Sequence, residues 1–276
     1  MDAATALTQI AQIRTLPIKA EVRELESKFS EIKEDDPLFI GRGSEATTLA
    51  LKDGRVARIA HVQDTARDRS QANSNQALTL ALIKAEGNDL LKAHSPEISA
   101  WDNLTQTIVM SKLEGKCISD TFRDQDIETI DAMTKEDFKN LFANLNELIR
   151  LKITTVDRGR NTLFKKGHGF GLIDFPVDLN SCFITDEKQE FNIRVSDIVS
   201  RFKANLNTSS PGFAKSLEGA LLRMRQGLFT FIKEGGIDLD RWERIELGNL
   251  FNKPGQRREL SASDLRAFTR HIEKTH

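Results

Sequence analysis

Residues 153–164 read ITTVDRGRNTLF, and residues 171–175 read GLIDF. Asp157 and Asn161 stand four positions apart in a polar loop, and Asp174 directly follows a short apolar run that is typical of a strand. These side chains can converge as a base that orients a hydroxyl and as ligands for a hard cation, since Mg²⁺ binds one or two carboxylates together with phosphate oxygens. For Asp157 and Asn161 the alternative is a turn-forming role, which is common for Asp and Asn.

Length and charge limit the classes of protein that the chain can belong to. It has 276 residues, with 40 Lys and Arg against 41 Asp and Glu, for a formal net charge of -1. This length suffices for one large domain or two lobes. Binding of nucleic-acid phosphates or of an anionic membrane usually requires a basic excess, so we expect no nucleic-acid partner.

Cysteine content and hydropathy predict where the chain resides. The two cysteines, Cys117 and Cys182, are too few for a disulfide scaffold, and the five histidines include no pair at metal-ligand spacing. No apolar run approaches the ~18 residues of a membrane span, and the N-terminus lacks the pattern of a secretory signal. We therefore expect a cytoplasmic protein without integral membrane contact.

The hydrophobic pattern predicts an α+β chain. Helical periodicity covers residues 4–34, and short β-like runs lie within 38–60 and 97–110. An Asp-Gly pair at 53–54 marks a hairpin. A helix is predicted over 76–93 after a loose polar segment at 62–75. From about residue 117 the pattern is mostly helical, apart from an extended patch at 162–184. The helix predicted over 136–151 has one apolar face, formed by Phe138, Leu141, Phe142, Leu145, Leu148 and Ile149.

A glycine-containing loop lies between two of the predicted strands, with the sequence GRGSEA at residues 41–46. Glycine allows backbone amides to come close to a phosphate and surround its negative charge. A simple tight hairpin turn is the alternative explanation.

A strand cation follows this loop. Arg58 lies in the run RVARI at residues 55–59, and Glu86 lies on the next predicted helix. A strand cation held by a helix carboxylate can reach nucleotide phosphates. The alternative is a surface strand that carries two arginines.

The order and spacing of these pieces resemble the protein-kinase-like fold, the family that includes protein kinases and the aminoglycoside and choline kinases. The resemblance covers about residues 38–200. It implies a bilobal α+β fold with an N-terminal helical extension at 1–37. A small antiparallel-sheet N-lobe with one helix would occupy 38–115, and a mostly helical C-lobe with the catalytic loop would occupy 116–276.

The resemblance also implies roles for individual residues. Arg58 stands where the family has its strand lysine, and Glu86 resembles the helix glutamate that pairs with it. Asp157 would be the catalytic base, and Asn161 and Asp174 would bind Mg²⁺. The residues implied to bind ATP are Gly41, Arg42, Gly43 and Ser44 of the glycine-rich loop, Arg58, the gatekeeper Met110, and Ser111 to Leu113 at the adenine.

The chain departs from the family pattern at several positions. Ala46 replaces the third glycine, Arg58 replaces lysine with a planar fork, and Pro176 replaces the glycine that normally follows Asp-Phe. The spacing from Asp157 to Asn161 is one residue shorter than usual. These departures change the geometry expected at the phosphates and at the metal.

The function implied is an ATP- and Mg²⁺-dependent phosphotransferase, an atypical kinase of protein Ser/Thr. No Ala-Pro-Glu run follows Asp174, and the short chain resembles the divergent kinases that bacterial pathogens inject into host cells. By this analogy the partner is a host protein, reached by a specialised secretion system. The alternatives are the same chemistry on a small molecule, and a catalytically inactive binding module. The sequence does not predict the oligomeric state.

The C-terminal part of the chain is locally basic. This charge argues against a cationic small-molecule substrate and suits a phosphorylated or acidic one, although a solvated helix face is the usual explanation. The basic residues are Arg223, Arg225, Lys233, Arg241, Arg244, Arg257 and Arg258.

Overall fold

The computed structural model describes residues 20–28, 31–42, 46–61, 69–102, 105–153, 162–173 and 186–252. The chain forms two compact units. Of the described residues, those up to Glu114 belong to the first unit, together with 151–153 and 171–173. The second unit contains 115–150, 162–170 and 186–252.

A five-stranded antiparallel sheet forms the centre of the first unit, with the strand order β1-β2-β3-β5-β4. The strands are β1 (Phe39–Arg42), β2 (Ala46–Ala50), β3 (Arg55–Ala60), β4 (Ile98–Asp102) and β5 (Thr107–Ser111). Gly54 has a φ of 83° in the β2–β3 turn, which is the backbone conformation that an Asp-Gly hairpin requires. The α+β class and the strands expected within 38–60 and 97–110 are confirmed, whereas residues 174–184 of the extended patch expected at 162–184 lie outside the described residues.

One face of this sheet is covered by helix α1 (Ala20–Lys28). Val22 and Leu25 pack there against a buried cluster that includes Ala57 and Ile59 of β3. Polar contacts fix the helix at its rim: Arg23 pairs with Asp102, and the Thr105 hydroxyl donates to Glu26 at 2.7 Å. Helix α1 is therefore part of the core of this unit.

The opposite face packs against helix α2 (Arg69–Glu86), which contacts β3, β4 and β5. A short helix, α3 (Asp89–Ala93), follows it, and the Asn88 side chain caps its N-terminus by accepting from Leu91 N–H at 2.8 Å. Gly87 separates the two helices where a single helix over 76–93 was expected. Helix α2 also begins before residue 76, within the segment that was expected to be loose.

The second unit is mostly helical. Its helices are α4 (Ile118–Arg123), α5 (Ile127–Ala132), α6 (Lys135–Arg150), α7 (Glu187–Leu206), α8 (Pro211–Lys233) and α9 (Arg241–Leu250). Its strands β6 (Lys116–Cys117) and β7 (Thr162–Lys165) lie in a three-stranded sheet with β8 (Gly169–Leu172), in the order β6-β7-β8.

Apolar residues at helical spacing explain why these helices pack together. Helix α6 buries Phe138, Leu141, Phe142, Leu145, Leu148 and Ile149, which are the residues expected on its apolar face. Gly227 of α8 lies so close to α6 that an added Cβ would be 2.6 Å from the Lys135 carbonyl oxygen. Helix α9 begins at a capping box formed by Asp240 and Glu243. Within the described ranges, no helix combines the length and the apolar character needed to cross a bilayer.

Candidate functional site

Five of the predicted site residues lie outside the described residues. They are Gly43, Ser44, Asp157, Asn161 and Asp174. Among the residues that the structure does describe, no group of three or more His, Cys, Asp or Glu side chains is placed to hold a metal ion. The predicted Mg²⁺ ligands therefore remain predictions, and the site is built from the residues around them in the sequence.

Arg58 lies in β3, the central strand of the five-stranded sheet. In register it stands between Thr48 of β2 and Ile108 of β5. Successive strand residues point to opposite faces, so Arg58 is on the α2 side, whereas its neighbours Ala57 and Ile59 pack toward α1. The sheet thus places a half-buried cation beneath helix α2.

Asn73 of α2 orients this cation. Arg58 Nε donates to Asn73 Oδ1 at 2.8 Å, and Asn73 Nδ2 donates to the Gln106 carbonyl at 2.6 Å and to the Arg58 carbonyl at 3.4 Å. Asn73 is only 1% exposed, and Gln106 has a φ of 54° in the β4–β5 turn. One amide therefore fixes the guanidinium, the strand that carries it and a turn with a left-handed residue.

Glu86 was predicted to hold Arg58 and lies elsewhere. It is exposed and is the last residue of α2, whereas Asn73 is in the N-terminal part of the same helix. An α-helix rises about 1.5 Å per residue, so the two positions are about 20 Å apart. One guanidinium cannot reach both residues. Asn73, and not Glu86, is therefore the residue of α2 that holds Arg58.

Gln76, one turn after Asn73, anchors a different part of the chain. Its Nε2 donates to the Ile173 carbonyl at 3.1 Å, and the residue has no exposed surface. Gln76 Oε1 is also buried, and no described group hydrogen-bonds to it. Gln76 therefore holds the residue that directly precedes Asp174 in the sequence.

Further contacts fix the same segment within the first unit. Leu172 N–H donates to the His94 carbonyl at 2.8 Å. Gly171 lies against Leu113, because a Cβ added at Gly171 would be 3.1 Å from a methyl group of that side chain. Residues 171–173 are thus held by α2, by the end of α3 and by the segment after β5.

Of the predicted glycine-rich loop, the structure describes Gly41 and Arg42, and both lie in β1. Gly41 pairs with Thr48, which pairs with Arg58, so the three form one row across the sheet. Adjacent strands are about 4.8 Å apart, which places Gly41 about 10 Å from Arg58 across β2. A Cβ at Gly41 would meet nothing within 4 Å.

Arg42 points to the other side of the sheet. Its guanidinium donates to Thr47 Oγ1 and to the Ile32 carbonyl, both at 3.1 Å, and lies 5.8 Å from the centre of the Phe39 ring. Thr47 pairs with Ile59 on the α1 face. These contacts are structural ones and are on the opposite face from Arg58.

The predicted hinge lies at the end of β5. Met110 is buried and pairs with Val56, which places it on the same face as Arg58. Ser111 N–H donates to the Glu97 carbonyl at 2.9 Å, and Ser111 Oγ accepts from Glu97 N–H at 2.8 Å. Ser111 therefore uses its N–H within the sheet, and Leu113 packs beside Gly171.

Asn73 and Gln76 were not identified from the sequence. Their signal is a pair of uncharged polar residues at i and i+3 on a helix face that also carries the buried Ala77, Leu80 and Ile83. Buried amides on such a face need hydrogen-bond partners, and the strand cation is a candidate partner.

Comparison with known proteins adds no family, because no model of a protein family matches the chain and no curated protein matches it.

Proposed function

We propose that the chain has a protein-kinase-like bilobal fold and is an ATP- and Mg²⁺-dependent kinase of protein Ser/Thr. The arrangement of the first unit supports this proposal. Gly41 lies in β1 and Gly43 follows this strand in the sequence, a cation lies on β3, and the next helix holds that cation. Protein kinases place their glycine-rich loop, strand lysine and helix glutamate in the same order.

The observation that carries the proposal is the use of α2 as a common support. Asn73 holds Arg58, and Gln76 holds Ile173 directly before Asp174. Residues three apart on a helix have Cβ atoms about 5–6 Å apart. The strand cation and the segment leading to the proposed metal ligand are therefore held at neighbouring points, as joint binding of one polyphosphate requires.

Each proposed residue has a distinct task. Arg58 donates to phosphate oxygens through its planar fork, and Asp157 orients the acceptor hydroxyl. Asn161 and Asp174 would hold Mg²⁺, which neutralises the phosphate charge when bound. The acceptor oxygen forms a bond to the γ-phosphorus of ATP as the bond to the ADP oxygen breaks, and the hydroxyl proton passes to Asp157.

The test measures transfer of the ATP γ-phosphate by the purified full chain. We expect ATP to raise the melting temperature only with Mg²⁺, and label to enter protein from eukaryotic lysate. Asp174→Ala should abolish the transfer, whereas Asp131→Ala, at an exposed position on α5, should not.

A wild-type protein that shows neither stabilisation nor transfer would refute the proposal. Transfer into eukaryotic but not bacterial lysate would support the proposed role as an effector that acts on a host protein. Equal transfer into both lysates would contradict that role.

A second candidate is a nucleotide-binding module without turnover. The observation that favours it is the helix partner of Arg58, which is the neutral amide of Asn73 where kinases have a carboxylate. For this candidate, Mg²⁺ and ATP stabilise the chain and no phosphate is transferred.

A further inference from the structure

The basic residues of the C-terminal helices do not form one uniform face. Arg223 Nη2 donates to the Ile130 carbonyl at 3.0 Å, so this arginine joins α8 to α5. Arg225 of α8 and Arg241 and Arg244 of α9 instead line one pocket of about 660 Å³. Three arginines from two helices therefore line one pocket in the second unit.

The pocket lining combines cationic and amide side chains with apolar ones. Among the residues described around it there is no acidic side chain, and the remaining lining residues are Phe229, Ile245, Gly248, Asn249 and Asn252. Arg244 Nε donates to the Leu239 carbonyl at 2.8 Å, which orients its guanidinium. Within the described part of the chain, neither Arg225 nor Arg244 forms a salt bridge. Like charges that converge in this way repel, and an anion between them would relieve the repulsion.

A smaller pocket of about 310 Å³ adjoins the first and shares Arg225 and Asn252 with it. Lys203 Nζ donates to the Asn252 carbonyl at 2.7 Å, and burial lowers the pKa of this lysine. The lining is largely apolar, from Leu206, Leu221, Leu222 and Phe251, with Glu218 as its described acidic member. Leu222 is 56% exposed, so an apolar surface is open beside the arginines.

We propose that the arginine pocket, defined by Arg225, Arg241 and Arg244, binds the phosphate group of a phosphorylated small molecule. Guanidinium forks match phosphate oxygens in charge and geometry. The volume lies within the range of small-molecule sites, about 300–1,000 Å³. The apolar pocket beside it receives the uncharged part of the same ligand. None of the pocket residues is among those proposed to bind ATP or Mg²⁺ or to act in phosphoryl transfer.

The test is calorimetric titration of the full chain with inorganic tripolyphosphate, in an Arg58→Ala background that removes the proposed nucleotide contact. The Arg58→Ala chain, whose pocket is intact, should bind tripolyphosphate. Adding Arg225→Ala or Arg244→Ala to it should weaken this binding about 10- to 100-fold. Arg225→Lys should restore only part of the affinity, because lysine keeps the charge but not the fork. The matched control is Lys215→Ala, an exposed cation of α8 outside the pocket, which should change nothing.

A second arm measures sedimentation with phosphatidylcholine vesicles that contain phosphatidic acid. Vesicle binding that Arg225→Ala abolishes supports the site and identifies a lipid headgroup as the source of the phosphate. Tripolyphosphate binding without vesicle binding supports the site and identifies a soluble ligand. Binding of neither probe, or binding that the arginine variants leave unchanged, overturns the proposal. Since Arg225 is exposed, its alanine variant should keep the wild-type melting temperature, whereas Arg244→Ala also loses the bond to the Leu239 carbonyl.

Discussion

Asn73 is the residue on which the cation site depends most. It is buried and joins three separate backbone or side-chain groups through one amide. A buried hydrogen-bonding group that loses its partner costs more free energy than an average hydrogen bond contributes. The consequences can be measured as stability and as nucleotide binding.

We expect Asn73→Ala to lower the free energy of unfolding by about 1–3 kcal/mol, because it leaves the Gln106 carbonyl and Arg58 Nε without this partner. It should also reduce the stabilisation by Mg²⁺ and ATP. Urea denaturation with and without nucleotide measures both effects. Gln226→Ala, at an exposed position on α8, is the control. Equal stability of Asn73→Ala and wild type would show that this amide contributes little to the free energy of unfolding.

A substitution at Gln76 can separate an effect on stability from an effect on catalysis. Gln76→Met keeps the side-chain length, loses the bond to the Ile173 carbonyl and removes the buried Oε1. These effects oppose each other, so we expect the free energy of unfolding to change by less than about 1 kcal/mol. If the proposed function holds, kcat should fall about 10- to 100-fold with little change in KM for ATP, since a positioning contact is lost. Unchanged kcat would contradict the positioning role.

At the scale of elements, helix α1 acts as one wall of the first unit. Its apolar side chains are buried against β3, and its charged side chains bind at the rim of the sheet. Burial and surface pairing differ widely in the free energy that they contribute. The two kinds of contact in α1 can therefore be compared within one helix.

Leu25→Ala should destabilise the chain by about 2–4 kcal/mol, because it removes buried apolar volume from the core cluster. Arg23→Ala should cost about 1 kcal/mol. Its own side chain is half exposed, but the Glu26 and Asp102 side chains that lose their partner are only 10% and 11% exposed. Leu222→Ala, which truncates an exposed leucine of α8, should have almost no effect. Thermal unfolding compares the three. A larger loss for Arg23→Ala than for Leu25→Ala would refute this ranking.

Helix α5 begins at a cap whose strength depends on pH. Asp126 accepts from Thr129 N–H at 3.0 Å and from its hydroxyl at 2.8 Å, and it pairs with Lys116 at 2.9 Å. The Thr129 backbone donor, Lys116 and the Thr129 hydroxyl lower the pKa of Asp126 to about 2. The carboxylate therefore contributes stability above its unfolded pKa of about 4, and this contribution is lost as the pH falls toward 2.

Asp126→Asn tests this cap. It should lower the free energy of unfolding by about 1 kcal/mol at pH 6, because asparagine caps the helix but cannot pair with Lys116. The difference from wild type should shrink between pH 4 and pH 2. Urea titrations at several pH values measure it, and a difference that stays constant with pH would contradict the linkage.

At the scale of the whole molecule, some features could be predicted from the sequence and others could not. Alternating apolar residues and the Asp53-Gly54 turn predicted the strands, and the spacing in α6 predicted its buried face, because burial dominates at those positions. The start of α2 was missed, since residues 69–76 are polar apart from Ala72. The described side chains there, Asn73 and Gln76, make tertiary hydrogen bonds and form no apolar stripe. For the same reason the partner of Arg58 was assigned by charge to Glu86, whereas the structure uses the neutral Asn73.

The proposed ATP-binding residues also predict which elements a nucleotide protects from hydrogen exchange. The described residues proposed to bind ATP belong to the first unit. We therefore expect Mg²⁺ and ATP to slow amide hydrogen exchange in β3 and α2 more than in α8. Exchange followed by mass spectrometry measures this difference. Equal protection of α8 would contradict nucleotide binding at β3 and α2.

The aromatic composition gives each unit its own optical probe. The chain has two tryptophans and no tyrosine, so indole dominates its near-ultraviolet fluorescence. Trp101 is buried in β4 of the first unit, and Trp242 lies in α9 of the second, beside Arg241 of the arginine pocket. Replacing either tryptophan with phenylalanine therefore leaves a chain whose emission reports on one unit only. The two proposed ligands can thus be followed separately, by the intensity and wavelength of emission, in two full-length chains that each retain a single tryptophan.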